Sequence, residues 1–254
     1  MPKIIEKKLI EEFKDKASFN RKELFEFFKH YEPDLKEGTF GWRIYDLKNK
    51  NIIKPIKKGI YTITNKQSYN PVISNELLKL GKTITNNFED VNYCIWDTAW
   101  INEFTRHQAN KKIIVIETEK DFVESFYYYL KDNFNYDFYL NPDEKSIKYY
   151  IAESTFPVII KKIITRSPIE KVKKNNIYIN IPLIEKILVD LFAEDKLFYY
   201  YKDSELVNIY ENVSNSYTIN FTTLLGYAGR RDKKQEIKEF LRINLKLSQQ
   251  IIDD

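Results

Sequence analysis

A chain of 254 residues with 43% hydrophobic and 15% aromatic content can bury a sizeable core, which excludes global disorder. The single cysteine, Cys94, excludes an intrachain disulfide and a cysteine-rich zinc site. Lys3, Glu6, Lys7 and Lys8 interrupt the N-terminus, so it carries no apolar signal core, and no run approaches the roughly 18 apolar residues of a membrane span. The expected location is therefore cytoplasmic, with no membrane partner. The net charge is only +4, but it is unevenly placed: residues 1–70 hold 16 Lys+Arg against 10 Asp+Glu, and the rest holds 25 against 27. Within 36–66 the count is eight basic to two acidic, the local basic block expected of a nucleic-acid-binding module.

In chain order, Lys3 to Lys14 reads as an amphipathic helix on Ile4, Ile5, Leu9, Ile10 and Phe13. Ser18 or Asn20 can cap a second helix to about His30, with Leu24, Phe25, Phe27 and Phe28 on its core side. Pro33 and the stretch Asp34 to Gly38 supply a turn, and a third helix runs from about Thr39 to Lys48 over Phe40, Ile44 and Leu47. Two short β-prone runs between Ile52 and Ile63 then flank Lys58-Gly59, where glycine supplies the positive φ of a tight hairpin.

Three helices followed by a basic hairpin is the winged helix-turn-helix order, which places the third helix in the major groove of double-stranded DNA and the wing along its backbone. On that reading Thr39, Trp42, Arg43 and Lys50 lie on or near the outer side of the recognition helix. Arg43 has the two-pronged donor face that reads guanine. Lys54, Lys57 and Lys58 would neutralise phosphates. The competing reading is a protein-docking module whose lysines are merely solvated.

Residues 64–74 are polar, aperiodic and carry Pro71, and Glu76 to Asn87 reads as a connecting helix. Strands at Val91–Ile95, Lys112–Glu117, Phe138–Leu140 and Val158–Ile163 then alternate with helices at Thr98–Thr105, Asp121–Lys131 and Ser146–Ala152. Such alternation implies a largely parallel sheet covered by helices. Pro182 is placed at the first turn of a helix whose apolar stripe is Ile184, Ile187, Leu188, Leu191 and Phe192, and residues 204–240 read as helical. The expected fold is α/β (α+β overall). A winged module occupies 1–64, a linker and connecting helix 65–90, and an α/β domain 91–254.

Catalytic and cofactor motifs are sparse. Neither the phosphate-binding loop nor the dinucleotide glycine pattern is present, so no cofactor is expected. Cys94 lies inside an apolar strand, unlike a low-pKa nucleophile. His107 stands in a polar loop with only His30 as company, too few for a histidine metal site. The sharpest enzyme reading is a metal-dependent nuclease on Asp97, Glu117 and Glu119 with Lys120. Its Glu-x-Lys spacing is not met, because Lys120 directly follows Glu119. No residue is therefore assigned to catalysis or to a metal. Glu185, Lys186 and Asp190 lie off the apolar stripe and read as a surface ion pair across one helical turn. Arg230-Arg231 could meet a phosphate or an acidic partner.

Several strings nevertheless resemble one family. Cys94-Ile95-Trp96-Asp97-Thr98-Ala99-Trp100-Ile101-Asn102-Glu103-Phe104, followed by His107-Gln108, is similar to the bacterial DUF6577 group, which is related to AbiEi-type antitoxins of abortive-infection systems. The likeness continues through Ile116-Glu117-Thr118-Glu119-Lys120, Pro182-Leu183-Ile184-Glu185-Lys186-Ile187-Leu188-Val189-Asp190 and Tyr227-Ala228-Gly229-Arg230-Arg231. The resemblance implies a non-enzymatic regulator. Its winged domain would repress its own operon, and its 91–254 domain would counteract a nucleotidyltransferase-like toxin or act through the toxin's target. It maps no neutralising residue onto this chain, and the roles of Trp96, Asp97, Trp100, His107, Gln108, Glu117, Glu185, Lys186, Asp190, Arg230 and Arg231 stay unassigned. The operator and the oligomeric state also stay open.

Overall fold

The computed structural model describes residues 3–16, 18–63, 68–106, 111–245 and 251. Helix α1 (Lys3–Phe13) buries Ile5, Leu9 and Phe13, spaced four apart on one face. Helix α2 (Arg21–Tyr31) opens on a reciprocal capping box: Asn20 Oδ1 accepts from the Glu23 backbone N–H at 2.9 Å, and Glu23 Oε2 accepts from the Asn20 N–H at 2.8 Å. Helix α3 (Glu37–Asn49) begins two residues before the expected Thr39. Leu35 is buried and ends the turn, so Glu37 and Gly38 already form the first helical turn.

The hairpin β2 (Lys54–Lys57) and β3 (Ile60–Thr62) reverses at Lys58-Gly59, with Gly59 at φ 76°. A two-residue strand, β1 (Phe19–Asn20), pairs antiparallel with β3 and gives the sheet order β1-β3-β2. One core joins Leu9, Phe13, Leu24, Phe28, Phe40 and Leu47 with Tyr61 of the hairpin. Ile56 and Ile60, also on the hairpin, instead enter the larger core formed by the rest of the chain. The hairpin thus belongs to both cores. Its turn is tied at two points: the Arg21 N–H donates to the Gly59 carbonyl, and the Lys58 N–H donates to Thr222 Oγ1, each at 2.8 Å.

The larger part begins with α4 (Asn75–Asn87), capped by Ser74. Strand β4 (Tyr93–Asp97) runs into a 3-10 helix (Thr98–Phe104), followed by β5 (Ile114–Thr118), α5 (Val123–Asn133) and β6 (Asp137–Leu140). Next come α6 (Glu144–Ser146), continued by a π-helical turn to Ile151, and β7 (Pro157–Lys162). The sheet order is β4-β5-β7-β6, mixed in direction: β4 is antiparallel to β5, while β5 and β6 both run parallel to β7. With its several small sheets, the chain is a mixed α/β protein.

A second hairpin, β8 (Ile169–Lys174) and β9 (Ile177–Pro182), turns at Asn175-Asn176, both in the left-handed region. It corrects the expectation for Pro182, which closes β9 opposite Ile169; Leu183 is the N-cap of α7 (Ile184–Ala193). Strand β9 lies against β4 and α4, and Gly81 of α4 makes this approach possible, because a Cβ there would stand 2.4 Å from Ile179 Cγ2. Helices α8 (Ser204–Ser216), α9 (Phe221–Arg230) and α10 (Lys234–Leu245) pack around α7. Among the described residues no helix is long and apolar enough to cross a membrane.

Candidate nucleic-acid interface

Helix α3 buries Phe40, Ile44 and Leu47, which turns Thr39, Gly41, Trp42 and Tyr45 outward. Trp42 is 72% exposed and Tyr45 57%, and their rings meet edge to face at 5.8 Å. Two large aromatic side chains are thus left in water on one short helix face. Arg43 stands at the side of this face rather than on it: its Nη2 donates to both carboxylate oxygens of Glu32, at 3.2 and 3.3 Å. Lys50 is likewise held, 2.7 Å from Glu6 and 2.8 Å from Asp46, and these partners raise its pKa. Lys54 and Lys57 are half-buried on β2, and Lys58 is exposed at the hairpin turn.

The other motif residues gather elsewhere, in a buried ion network that sequence reasoning placed on the surface. Lys186 and Asp190 are buried, at 0% and 1% exposure, because α7 is covered all round: every residue from Ile184 to Leu191 is buried. The Lys186 ammonium donates to Glu117 Oε2 from β5 and, at 2.5 Å, to Asp190 Oδ2 one helical turn on. Lys161 of β7 stands 3.4 Å from Glu117 Oε1 and 2.5 Å from Glu194, Arg231 donates to Glu194 at 2.7 Å, and the Tyr227 hydroxyl donates to Asp190 at 2.9 Å. Burial pulls the Lys186 pKa down, but Asp190 and Glu117 outweigh it and hold it well above the ordinary lysine value. Burial pushes Asp190 up, and Lys186, Lys161 and Arg231 reverse that and hold it low.

Three carboxylates (Glu117, Asp190, Glu194) therefore face three cations (Lys161, Lys186, Arg231), so charge balances inside the core and ties β5, β7, α7 and α9 together. A surface groove of about 470 Å³ touches this set only at Lys161 and Glu194. Sequence reasoning singles out neither residue. The available signal is a lysine closing the apolar run Val158-Ile159-Ile160.

Glu185 is also buried. It accepts the Asn220 N–H at 2.8 Å, and burial raises its pKa. Trp96 packs on Phe198, and the Trp100 indole donates to the Val72 carbonyl. Arg230 is exposed; Arg231 is committed to Glu194. Cys94 lies opposite Glu117 in the β4–β5 register, and burial pushes its thiol well up. His107 and Gln108 lie outside the described residues.

The carboxylates of the nuclease reading do not converge. Asp97 pairs in register with Ile114 at the start of β5, caps the 3-10 helix through the Ala99 N–H and meets Lys112 at 2.9 Å. Glu117 sits three residues along β5, inside the ion network. Glu119 lies beyond the end of β5. Among the described residues, no group of three or more His, Cys, Asp or Glu side chains is placed to hold a metal ion.

A family model described as a family of unknown function, DUF6577, matches residues 39–247, from the first turns of α3 to beyond α10. The chain belongs to the DUF6577 family. The match takes in the outer face of α3, the hairpin and the whole ion network, and leaves α1 and α2 outside it. No curated protein matches the chain.

Proposed function

We propose that this DUF6577 protein is a DNA-binding transcriptional regulator. On this reading residues 1–64 form a winged helix-turn-helix, 65–90 a linker and connecting helix, and 91–254 an α/β domain built on the parallel β5, β6 and β7. The observation that carries the proposal is the element order α1-β1-α2-α3-β2-β3 with β1 beside β3, the arrangement in which a third helix projects and a hairpin flanks it. The outward Thr39, Trp42 and Tyr45 and the basic block over 36–66 support the same assignment. Lys54, Lys57 and Lys58 serve the phosphate backbone, and Arg43 and Lys50 flank the groove-entering face.

The antitoxin role rests on the resemblance to AbiEi-type proteins. In that role the chain represses its own promoter, and the 91–254 domain counteracts a nucleotidyltransferase-like toxin or acts through the toxin's target. The balanced ion network joins α7 and α9 of that domain, and α9 in turn meets the wing through Thr222. The nuclease alternative finds less support, because Asp97 at the end of β4 and Glu117 on β5 are engaged by different partners, Lys112 and Lys186.

The test is a mobility shift of the full chain on its own upstream DNA against scrambled DNA at two salt concentrations. The proposal expects specific binding that weakens steeply with salt. Equal binding to both sequences would contradict a sequence-specific regulator, and absence of binding to either would reduce the module to a docking role.

A further inference from the structure

We infer that α3 reads A·T pairs through thymine methyl groups, with Trp42 and Tyr45 as the specificity-determining side chains; this rests on the DNA-binding reading above. Major-groove discrimination uses either directed hydrogen bonds, as from arginine to guanine, or apolar contact with the C5-methyl of thymine. The outer face of α3 is built for the second. Trp42 and Tyr45 project from consecutive turns at 72% and 57% exposure, and their rings meet edge to face, so they form one apolar patch. Thr39, exposed one turn earlier, offers a further methyl. A Cβ added at the neighbouring Gly41 would meet nothing within 4 Å, so the helix surface there is smooth and open to a base-pair edge.

The guanine-reading alternative is weakened by the same geometry. Arg43 is turned to the side and gives its Nη2 to both oxygens of Glu32, with both side chains only about a quarter exposed. Reaching a guanine edge would require breaking that pair. Lys50, the C-cap of the helix, is shared between Glu6 and Asp46. Duplex DNA is the occupant that fits this face rather than a second copy of the chain. The segment 36–66 that carries both rings holds eight basic and two acidic residues, a net positive charge that complements a polyanion and would repel its own image.

Three alternating duplexes of equal length test the inference with the full chain at low salt: poly(dA-dT), poly(dA-dU), which lacks only the thymine methyls, and poly(dG-dC). Each methyl removed from water contributes about a fourfold change in affinity, so two contacted methyls give about fifteenfold weaker binding to the uracil duplex. Trp42→Ala should cut this difference to about fourfold, and Trp42→Ala combined with Tyr45→Ala should erase it, while residual, salt-sensitive binding to all three remains. Equal binding to the thymine and uracil duplexes, or a guanine preference abolished by Arg43→Ala, overturns the methyl inference alone. Absence of binding to every duplex overturns the DNA reading itself. A dimer that Trp42→Ala converts to monomer, with duplex selection unchanged, assigns the face to self-association and also refutes the inference.

Discussion

Replacing Lys186 by methionine probes the ion network at its centre. The substitution keeps the volume of the side chain and removes the charge that Glu117 and Asp190 share. Breaking a buried pair by deleting one partner costs about 3–5 kcal/mol, because the surviving charges lose their compensation. Here the survivors keep part of theirs: Lys161 stays 3.4 Å from Glu117, Arg231 Nε stays 3.8 Å from Asp190, and Tyr227 still donates to Asp190. The loss should therefore fall near the lower end, about 3 kcal/mol, which lowers Tm by roughly 6–12 °C in a chain of this size.

Urea and thermal unfolding followed by circular dichroism measure it, and pH supplies a second check. The folded pKa of Asp190 is held below its unfolded value. It therefore contributes stability that is complete above the ordinary carboxylate pKa of about 4 and is lost as pH falls through the lower folded value. Without Lys186 much of that contribution disappears, so the gap between wild type and variant should be widest near neutrality and shrink in acid. The quadruple variant Glu117→Met, Lys161→Met, Lys186→Met, Asp190→Leu removes two charges of each sign, leaves Arg231 paired with Glu194, and should recover much of the stability, since apolar groups of similar volume often match a buried ion set. A loss below about 1 kcal/mol for Lys186→Met, or a gap that does not change with pH, would refute the reasoning.

Other sites yield independent expectations. Asn20→Ala removes one half of the capping box on α2 and should cost about 1 kcal/mol in urea unfolding. Gly81→Ala drives a methyl into Ile179 and should destabilise by about 1–3 kcal/mol, with the near-ultraviolet signal of Tyr93 and its neighbours altered. The Cys94 thiol, buried and with its pKa pushed up, should resist an aromatic disulfide reagent in the native protein at pH 8 and react once in denaturant. Trp42→Ala should leave Tm within about 1 °C of wild type, because an exposed side chain away from the core contributes little to folding.

Local signals in the sequence carry the elements whose ends are marked by side chains. Asn20 is one of two residues able to cap α2 and is the one used, and Lys58-Gly59 announces the first hairpin. The apolar runs at Ile113–Ile116 and Val158–Ile160 mark β5 and β7. What escapes is set by tertiary context. The β1 pairing spans two residues and exists only because β3 lies beside it. In the β8–β9 hairpin, β9 spaces Ile177, Ile179 and Ile181 two apart and the chain turns on Asn175-Asn176, a local signal that competes with Pro182 as a helix start and prevails over it.

The ion network escapes sequence reading for a physical reason. Periodicity places Glu185, Lys186 and Asp190 off the apolar stripe, which describes a helix with one buried face. Helix α7 has no exposed side over Ile184–Leu191, so its off-stripe positions are core positions, and their partners Glu117 and Lys161 come from strands far away in sequence. The outer face of α3 is partly legible. Spacing alone puts Trp42 and Thr39 there, whereas the Glu32 clamp on Arg43 depends on how α2 and α3 meet.

The most direct test of the DNA-binding account is the anisotropy of a labelled duplex titrated with the full chain over a series of salt concentrations. The account predicts that log affinity falls linearly with log salt, and that Lys58→Ala lowers the slope by about one while weakening all sequences alike. Affinity that is negligible at low salt, or that is unchanged across the series, would contradict it.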